Sequence, residues 1–230
     1  QQLYVLLSFD AIRGNVLHIS SNFTPHTAGI SLLYRWRGTA EPTVIHDDII
    51  ERVSQRETQF LRRSQFDEIQ YGSAILKRNA SGAILRPVIT AHGHFRLLSH
   101  LWPEVKTHII AHECFLRGAA ITAWAEQFRH HRASLWFIDE EMNSDQRTLP
   151  WQLLGKTYQG WWRNQWQIWQ RGDMRKVVCL LTQGRVEESA SITLAASHRF
   201  LAWLRQQTEF EQSIRYSAHS VFQAIRSLAD

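Results

Sequence analysis

The chain has 230 residues, of which 44% are hydrophobic, 20% are charged and ten are Trp. This length and composition exclude a disordered protein, because such a chain can bury roughly 70% of its unfolded surface without help from a disulfide or a metal. The formal net charge of +5 favours acidic partners, such as a polyanion or an acidic protein segment. We predict one globular domain over residues 1–230.

The cellular location is inferred from what the sequence lacks. No apolar run approaches the roughly 18 residues that a membrane-spanning helix requires, and the first residues lack the basic flank of a signal peptide. Cys114 and Cys179 lie far apart inside apolar runs, which indicates free thiols rather than a disulfide. We therefore expect a soluble, cytoplasmic chain with no transmembrane segment.

The first part of the chain alternates short β-like runs with turns. Residues 3–9, 15–20 and 30–36 are predicted strands, and residues 47–63 have the spacing of a helix. Residues 73–78 and 83–90 flank a polar turn that ends in Gly82, which predicts a hairpin. These elements predict a small β-containing N-terminal lobe over about residues 1–90.

The rest of the chain has mainly helical spacing. We predict a short helix ended by Pro103, a long helix over 104–130, a strand over 134–138, and a helix over 150–171. A final helix pair is predicted over 185–207 and 209–228. The predicted fold is therefore α+β and predominantly helical, with a helical C-terminal lobe over residues 91–230.

The predicted helix over 150–171 has the clearest two-faced pattern. Its apolar side is rich in Trp, and its other side offers only amide and basic groups. Such groups beside aromatic rings can grip phosphates and stack bases, although an apolar stripe is more often core or a protein interface. The candidate binding surface consists of Lys156, Gln159, Arg163, Gln167 and Arg171.

A cluster of histidines precedes this segment. On a helix, His108 and His112 would lie one turn apart, which is the separation that two imidazoles need to share a zinc or another divalent metal. A third ligand could come from His92, His94 or Glu113. The catalytic Glu of an H-E-x-x-H motif is absent, so ordinary histidines at the edge of the core are the favoured interpretation.

Other catalytic patterns are incomplete. Residues 139–141 are acidic and follow the predicted strand over 134–138, a position at which carboxylates can bind Mg²⁺. No Lys, Glu or second Asp stands at a spacing that completes a nuclease motif, so a solvated loop is favoured there. The chain also lacks G-x-S-x-G, the phosphate-binding G-x-x-x-x-G-K-[ST] and the dinucleotide-binding G-x-G-x-x-G.

Two short segments resemble a known group of proteins. Residues 3–7, Leu-Tyr-Val-Leu-Leu, and residues 82–87, Gly-Ala-Ile-Leu-Arg-Pro, resemble the N-terminal part of adaptors that load effectors onto bacterial type VI secretion spikes. The resemblance implies an adaptor role for this chain.

The leading functional hypothesis is a non-enzymatic binding or adaptor module without a cofactor. It would present a basic, Trp-rich helical surface to a protein partner or a polyanion, as an accessory factor of a bacterial secretion or mobile-element system. Two alternatives stay open. One is a metal-dependent hydrolase or nuclease that uses the histidine cluster, with Glu113 as base, and the other is a nucleic-acid-binding protein.

Overall fold

The computed structural model describes residues 3–25, 78–79, 82–141, 149–159, 164–182, 189–214 and 218–229. Strands β1 (Val5–Phe9) and β2 (Val16–Ser21) form an antiparallel hairpin. Strands β3 (Phe23–Pro25), β4 (Arg78–Asn79) and β5 (Gly82–Ile84) form a small sheet in the order β3-β5-β4. The predicted strands over 3–9 and 15–20 are confirmed. The predicted strand over 30–36 and the helix over 47–63 lie outside the described residues.

The predicted hairpin around Gly82 is confirmed only in part. Strands β4 and β5 pair antiparallel, but the second strand ends at Ile84. Helix α1 (Pro87–Leu101) then begins at Pro87. Proline suits this position because its fixed φ matches the helix and its missing N–H would have no partner in the first turn.

A five-stranded mixed sheet occupies the middle of the chain. Its order is β6-β7-β10-β9-β8, formed by β6 (Thr107–Ala111), β7 (Ser134–Glu140), β8 (Gln152–Gln159), β9 (Asn164–Arg171) and β10 (Met174–Leu180). Strands β6 and β7 are parallel, and the other neighbouring strands are antiparallel. Helices α2 (Cys114–Ala123) and α3 (Ala125–Arg129) connect the parallel pair.

Three further helices follow the sheet. They are α4 (Ala195–Leu204), α5 (Thr208–Ser213) and α6 (Ala218–Ala229), which lie within the predicted final helix pair but are shorter and interrupted. Among the helices in the described ranges, none combines the length and the apolar character that crossing a bilayer requires.

The prediction of a predominantly helical fold with a helical lobe over 91–230 is wrong. Within the described ranges helices and strands take similar shares, and the five-stranded sheet lies inside that supposed helical lobe. The predicted helix over 150–171 is the antiparallel pair β8 and β9. Strand β9 has buried or half-buried residues on both faces of the sheet, so its apolar residues do not alternate with polar ones. The spacing of these residues therefore fitted a helical period better than the two-residue period of a strand.

The predicted helix over 104–130 is also wrong at its start. Residues 107–111 form β6, and only the later part is helical, as α2 and α3. The predicted strand over 134–138 is confirmed and extends to Glu140 as β7. A parallel strand buried in a sheet reads as a short continuous apolar run, which periodicity alone cannot distinguish from a helix.

Both faces of the five-stranded sheet carry apolar clusters. The front face, which carries Leu135, Phe137 and Trp166, packs against apolar residues of α1 and α2. The back face, which carries Trp136, Ile138 and Trp169, packs against Ile192 and Leu194 in the segment before α4. Cys179 is buried in the front cluster as a free thiol, and Cys114 is a half-buried free thiol.

Two glycines provide a matched test of this fold. Gly172 has a φ of 57° in the two-residue turn between β9 and β10, so Gly172→Ala should lower the free energy of unfolding by roughly 1–2 kcal/mol. Gly93 lies exposed within α1, and an added Cβ there meets nothing within 4 Å. Gly93→Ala should therefore raise the free energy of unfolding by about 0.5–1 kcal/mol. Urea denaturation measures both, and a neutral Gly172→Ala would contradict the tight turn.

Candidate functional site

The histidines of the predicted metal cluster lie on two different elements. His92 and His94 are in α1, His108 is in β6, His112 directly follows β6, and Glu113 precedes the first residue of α2. Residues four apart share a face in a strand as well as in a helix, but in a strand they are about 13 Å apart. The extended backbone of β6 therefore removes the one-turn helical separation on which a shared ion between His108 and His112 was predicted.

No other arrangement restores the metal site. In the ranges that the structure describes, no three His, Cys, Asp or Glu side chains are placed to hold a metal ion. The hydrolase alternative depends on a helix that places His108 and His112 one turn apart. Residues 107–111 form strand β6 instead, so this geometric basis is lost.

His108 and His112 are packed among aromatic rings instead. The ring centroid of His108 lies 4.1 Å from that of Trp124, and His112 lies 4.8 Å from Trp166 and 4.9 Å from Phe137. Burial lowers the pKa of His108 to about 4, so its imidazole is neutral at pH 7. Such packing is typical of histidines that fill the edge of a core.

His94 has the most developed hydrogen-bonding environment of the cluster. Its Nε2 lies 2.8 Å from Oγ of Ser8 and its Nδ1 lies 2.9 Å from Oγ of Ser20. Ser20 Oγ in turn lies 3.0 Å from Nε2 of His18, whose ring is 4.8 Å from that of His94. A neutral imidazole has one donor and one acceptor nitrogen, which two hydroxyl groups can satisfy together.

The Ser8–His94 contact has the distance of a nucleophile and its base, but its electrostatics oppose that role. Burial, together with the neighbouring His18, lowers the pKa of His94 to about 3. A base this weak would take a proton from Ser8 poorly at neutral pH. The network instead fastens the β1–β2 hairpin to α1.

The described residues of the predicted binding surface lie on two strands and do not form one exposed surface. Lys156 is exposed on β8 and pairs in register with Gln167 on β9, which is only 5% exposed and therefore belongs to the interior. Arg171 is half-buried, four residues further along β9 on the same face. Gln159 is the last residue of β8, and Arg163 lies outside the described residues.

Arg171 is held by an aromatic ring rather than free in solvent. Its guanidinium carbon lies 4.4 Å from the ring centroid of Trp151, and Nζ of Lys176 lies 4.5 Å from the same centroid. Both contacts are within the range of cation–π interactions. Trp151 thus joins two cations of the back face just before β8 begins.

Lys176 is fully buried and anchors the segment that covers the back face. Its Nζ donates to the carbonyl oxygens of Ala190 and Ile192, each at 2.6 Å, and it pairs in register with Glu140 on β7. Burial lowers the pKa of Lys176 to about 8, although the charge of Glu140 opposes this shift and that of Arg171 adds to it.

Glu140 holds the same segment from strand β7. Its carboxylate accepts hydrogen bonds from Oγ1 of Thr193 and from the backbone N–H of Leu194, both at 2.8 Å, where the chain enters α4. Glu141, the next acid, accepts a hydrogen bond from the backbone N–H of Arg175 at 3.0 Å. Glu140 and Glu141 therefore hold backbone groups in place, and they do not lie in the predicted solvated loop.

Sequence reasoning missed the exposed apolar residues of β8. Leu153, Leu154 and Tyr158 are 46%, 53% and 56% exposed, and Leu149 just before the strand is 52% exposed. In the predicted helix, Leu154 and Tyr158 belonged to a buried stripe. The available signal was the composition of residues 152–159, in which Lys156 is the single charged residue among otherwise uncharged ones.

The chain has no match to any protein-family model, to any curated protein or to any solved structure. The function must therefore be argued from the residues themselves.

The buried His94 predicts a specific pH dependence of stability. Its pKa is near 3 in the folded chain and about 6.5 in the unfolded chain, so its contribution is complete above pH 6.5 and is lost as the pH falls toward 3. Between pH 7 and pH 5 the loss should be about 2 kcal/mol. In His94→Gln this part of the pH slope should disappear in urea denaturation, whereas exposed His130→Gln should keep it. An unchanged slope in His94→Gln would contradict this assignment.

The anchor on the back face predicts a second stability effect. Lys176→Ala leaves two carbonyls and Glu140 without their buried cation, and should lower the free energy of unfolding by about 3–5 kcal/mol. The matched change of an exposed lysine, Lys156→Ala, should stay within about 0.5 kcal/mol. Thermal and urea denaturation of the two variants give the comparison. Equal stabilities would show that Lys176 does not hold the segment 189–194.

Proposed function

We propose that the protein is a non-enzymatic adaptor that binds an anionic segment of a partner protein at β8. The observation that carries this proposal is the surface of that strand, which we call the β8 surface and define by Leu153, Leu154, Lys156 and Tyr158. Its three apolar side chains are each about half exposed, although they adjoin a sheet whose other strands are well packed. Exposed apolar groups beside polar ones are typical of protein interaction sites.

The charge of the surface supports an acidic partner. Lys156 is the single charged residue of β8, and Arg171 adds a second cation on the same face of β9. The whole chain carries a formal net charge of +5. Complementary charge speeds encounter and selects among partners, while the apolar side chains supply buried area on binding.

The environments of the histidines and of Lys176 support binding rather than catalysis. Burial lowers the pKa values of the buried His94 and the half-buried His108 so that both are neutral at neutral pH, and Lys176 donates to two backbone carbonyls. A general base is most effective when its pKa lies near the working pH and when it can reach a substrate. These groups have structural partners and poor access to solvent.

The proposal predicts which peptides the protein selects from a random twelve-residue display library. Enriched peptides should combine Asp or Glu with large apolar residues, and Lys156→Glu should weaken their binding at least tenfold by reversing the complementary charge. Tyr158→Ala should weaken it by several-fold through loss of apolar contact. Biolayer interferometry with synthetic copies of the enriched peptides measures both effects.

The matched control is Lys106→Glu, which reverses an equally exposed lysine away from β8 and should leave binding unchanged. Two other results would overturn the proposal. One is peptide binding that ignores Lys156. The other is selective binding of single-stranded DNA or heparin with a steep loss of affinity on adding salt, which would indicate a polyanion-binding protein.

A further inference from the structure

Two neighbouring turns meet at the end of the sheet where the parallel strands β6 and β7 begin. The first turn lies between α1 and β6, and the second lies between α3 and β7. Nε2 of Gln127 donates to the carbonyl oxygen of Pro103 at 3.3 Å, and the N–H of Ser134 donates to the carbonyl oxygen of Lys106 at 2.8 Å. These hydrogen bonds hold the two turns side by side.

The first turn carries apolar side chains that face solvent. Every residue over 100–106 is exposed, and among them Leu101, Trp102 and Val105 are 55%, 37% and 38% exposed. Leu97, one helical turn before Leu101, is 41% exposed. A segment that is exposed at every residue protrudes from the body of the protein, so these apolar groups form a convex tip. Clustered apolar groups on a surface are typical of interaction sites with a protein or a membrane.

Basic side chains on both turns adjoin this tip. The exposed cations are Arg96, Lys106, Arg129 and Arg132. Two exposed acids, Glu104 and Glu126, lie in the same region, and Glu126 forms an ion pair with Arg129 at 3.0 Å. Because the cations outnumber the acids, the surroundings of the apolar tip carry a net positive charge.

We propose that these two turns bind the surface of an anionic lipid bilayer. The binding residues, which we call the tip surface, are Leu101, Trp102, Val105, Arg96, Lys106, Arg129 and Arg132. The apolar members enter the interfacial layer, and the cations contact lipid phosphate and carboxylate groups. The inference goes beyond the proposed function and does not depend on it, since β6 and β8 lie at opposite ends of the sheet. An adaptor with both surfaces would hold its partner segment at a membrane.

The combination of side chains favours a lipid surface over other anionic partners. Trp is enriched at the boundary between water and bilayer, where its amphipathic ring is stable. Each Lys or Arg close to an anionic membrane strengthens binding by about fivefold. Aliphatic side chains such as Leu101 and Val105 add little to contacts with nucleic-acid phosphates, whereas in a bilayer they add buried apolar area. A protruding tip can also enter a fluid interface without a matching cavity, which a folded partner protein would have to provide.

Flotation of the full chain with lipid vesicles tests this inference. Vesicles of phosphatidylcholine are prepared with and without about 30% phosphatidylserine, and the chain should bind the neutral vesicles at least tenfold more weakly. Leu101→Ser should weaken binding to the anionic vesicles by about tenfold through loss of buried apolar area. Lys106→Glu should weaken it by about tenfold or more through reversal of the charge.

The matched controls are Ile12→Ser and Arg205→Glu. Ile12 is 95% exposed in the turn between β1 and β2, and Arg205 is exposed directly after α4. Both lie outside the tip surface, and salt at physiological strength screens exposed charges beyond about 8 Å. Both controls should therefore bind within about twofold of the natural chain. Urea denaturation should give nearly equal stabilities for all four variants, because each change is at an exposed side chain.

Quenching of Trp fluorescence by brominated lipids measures the insertion of Trp102. Bromine on the acyl chains quenches only a Trp that has entered the bilayer. Trp102→Leu keeps an apolar side chain at the tip, so it should bind within about threefold of the natural chain but lose the quenching. Unchanged quenching in Trp102→Leu would place another Trp in the bilayer and overturn the inference.

The other outcomes also have definite meanings. Failure to bind anionic vesicles, equal binding to neutral vesicles, or full binding by Leu101→Ser and Lys106→Glu would each overturn the inference. Binding of DNA but not of vesicles, weakened by Lys106→Glu and unaffected by Leu101→Ser, would assign the cations to nucleic-acid phosphates instead. Peptide binding at the β8 surface is measured without lipid and should survive Lys106→Glu, so either proposal can fail while the other stands.

Discussion

Burial of both faces of the five-stranded sheet is the constraint on which the rest of the structure depends. Strands β7 and β10 carry apolar side chains toward α1 and α2 on one side and toward the segment before α4 on the other. A sheet covered on both faces needs a chain segment fastened over each of them. The connection between the parallel strands β6 and β7 supplies α2 and α3, and the chain after β10 supplies the cover for the back face.

The back face requires additional hydrogen-bond partners, because the segment that covers it is irregular rather than a long helix. Irregular backbone has carbonyl groups that must find donors when it is buried. Lys176 provides them from within the sheet, and Glu140 beside it accepts hydrogen bonds from the hydroxyl of Thr193 and the N–H of Leu194 in the turn into α4. Each ion offsets part of the desolvation of the other, so the buried Lys176 and the half-buried Glu140 stabilise this part of the fold.

The same packing determines the surroundings of the described histidines His94, His108 and His112. His108 and His112 pack among Trp124, Phe137 and Trp166, and burial lowers the pKa of His108. His94 satisfies both ring nitrogens with hydroxyl groups of the β1–β2 hairpin. Strand β8, by contrast, carries the half-exposed side chains of Leu153, Leu154 and Tyr158 beside the exposed Lys156.

The sequence by itself determined the local features whose cause is local. Strands β1 and β2 and the apolar strand over 134–138 follow from residue type and short-range spacing, whereas the helix that begins at Pro87 replaces part of a predicted strand. The tertiary structure decided the state of residues 150–171 and the partners of His108 and Lys156. A separation of four residues places side chains on one face in a helix and in a strand alike, so the pattern of Trp and Gln was compatible with both. Only the pairing of β9 with both β8 and β10 distinguishes these states, and in the sheet Lys156 is exposed while its partner in register, Gln167, is buried.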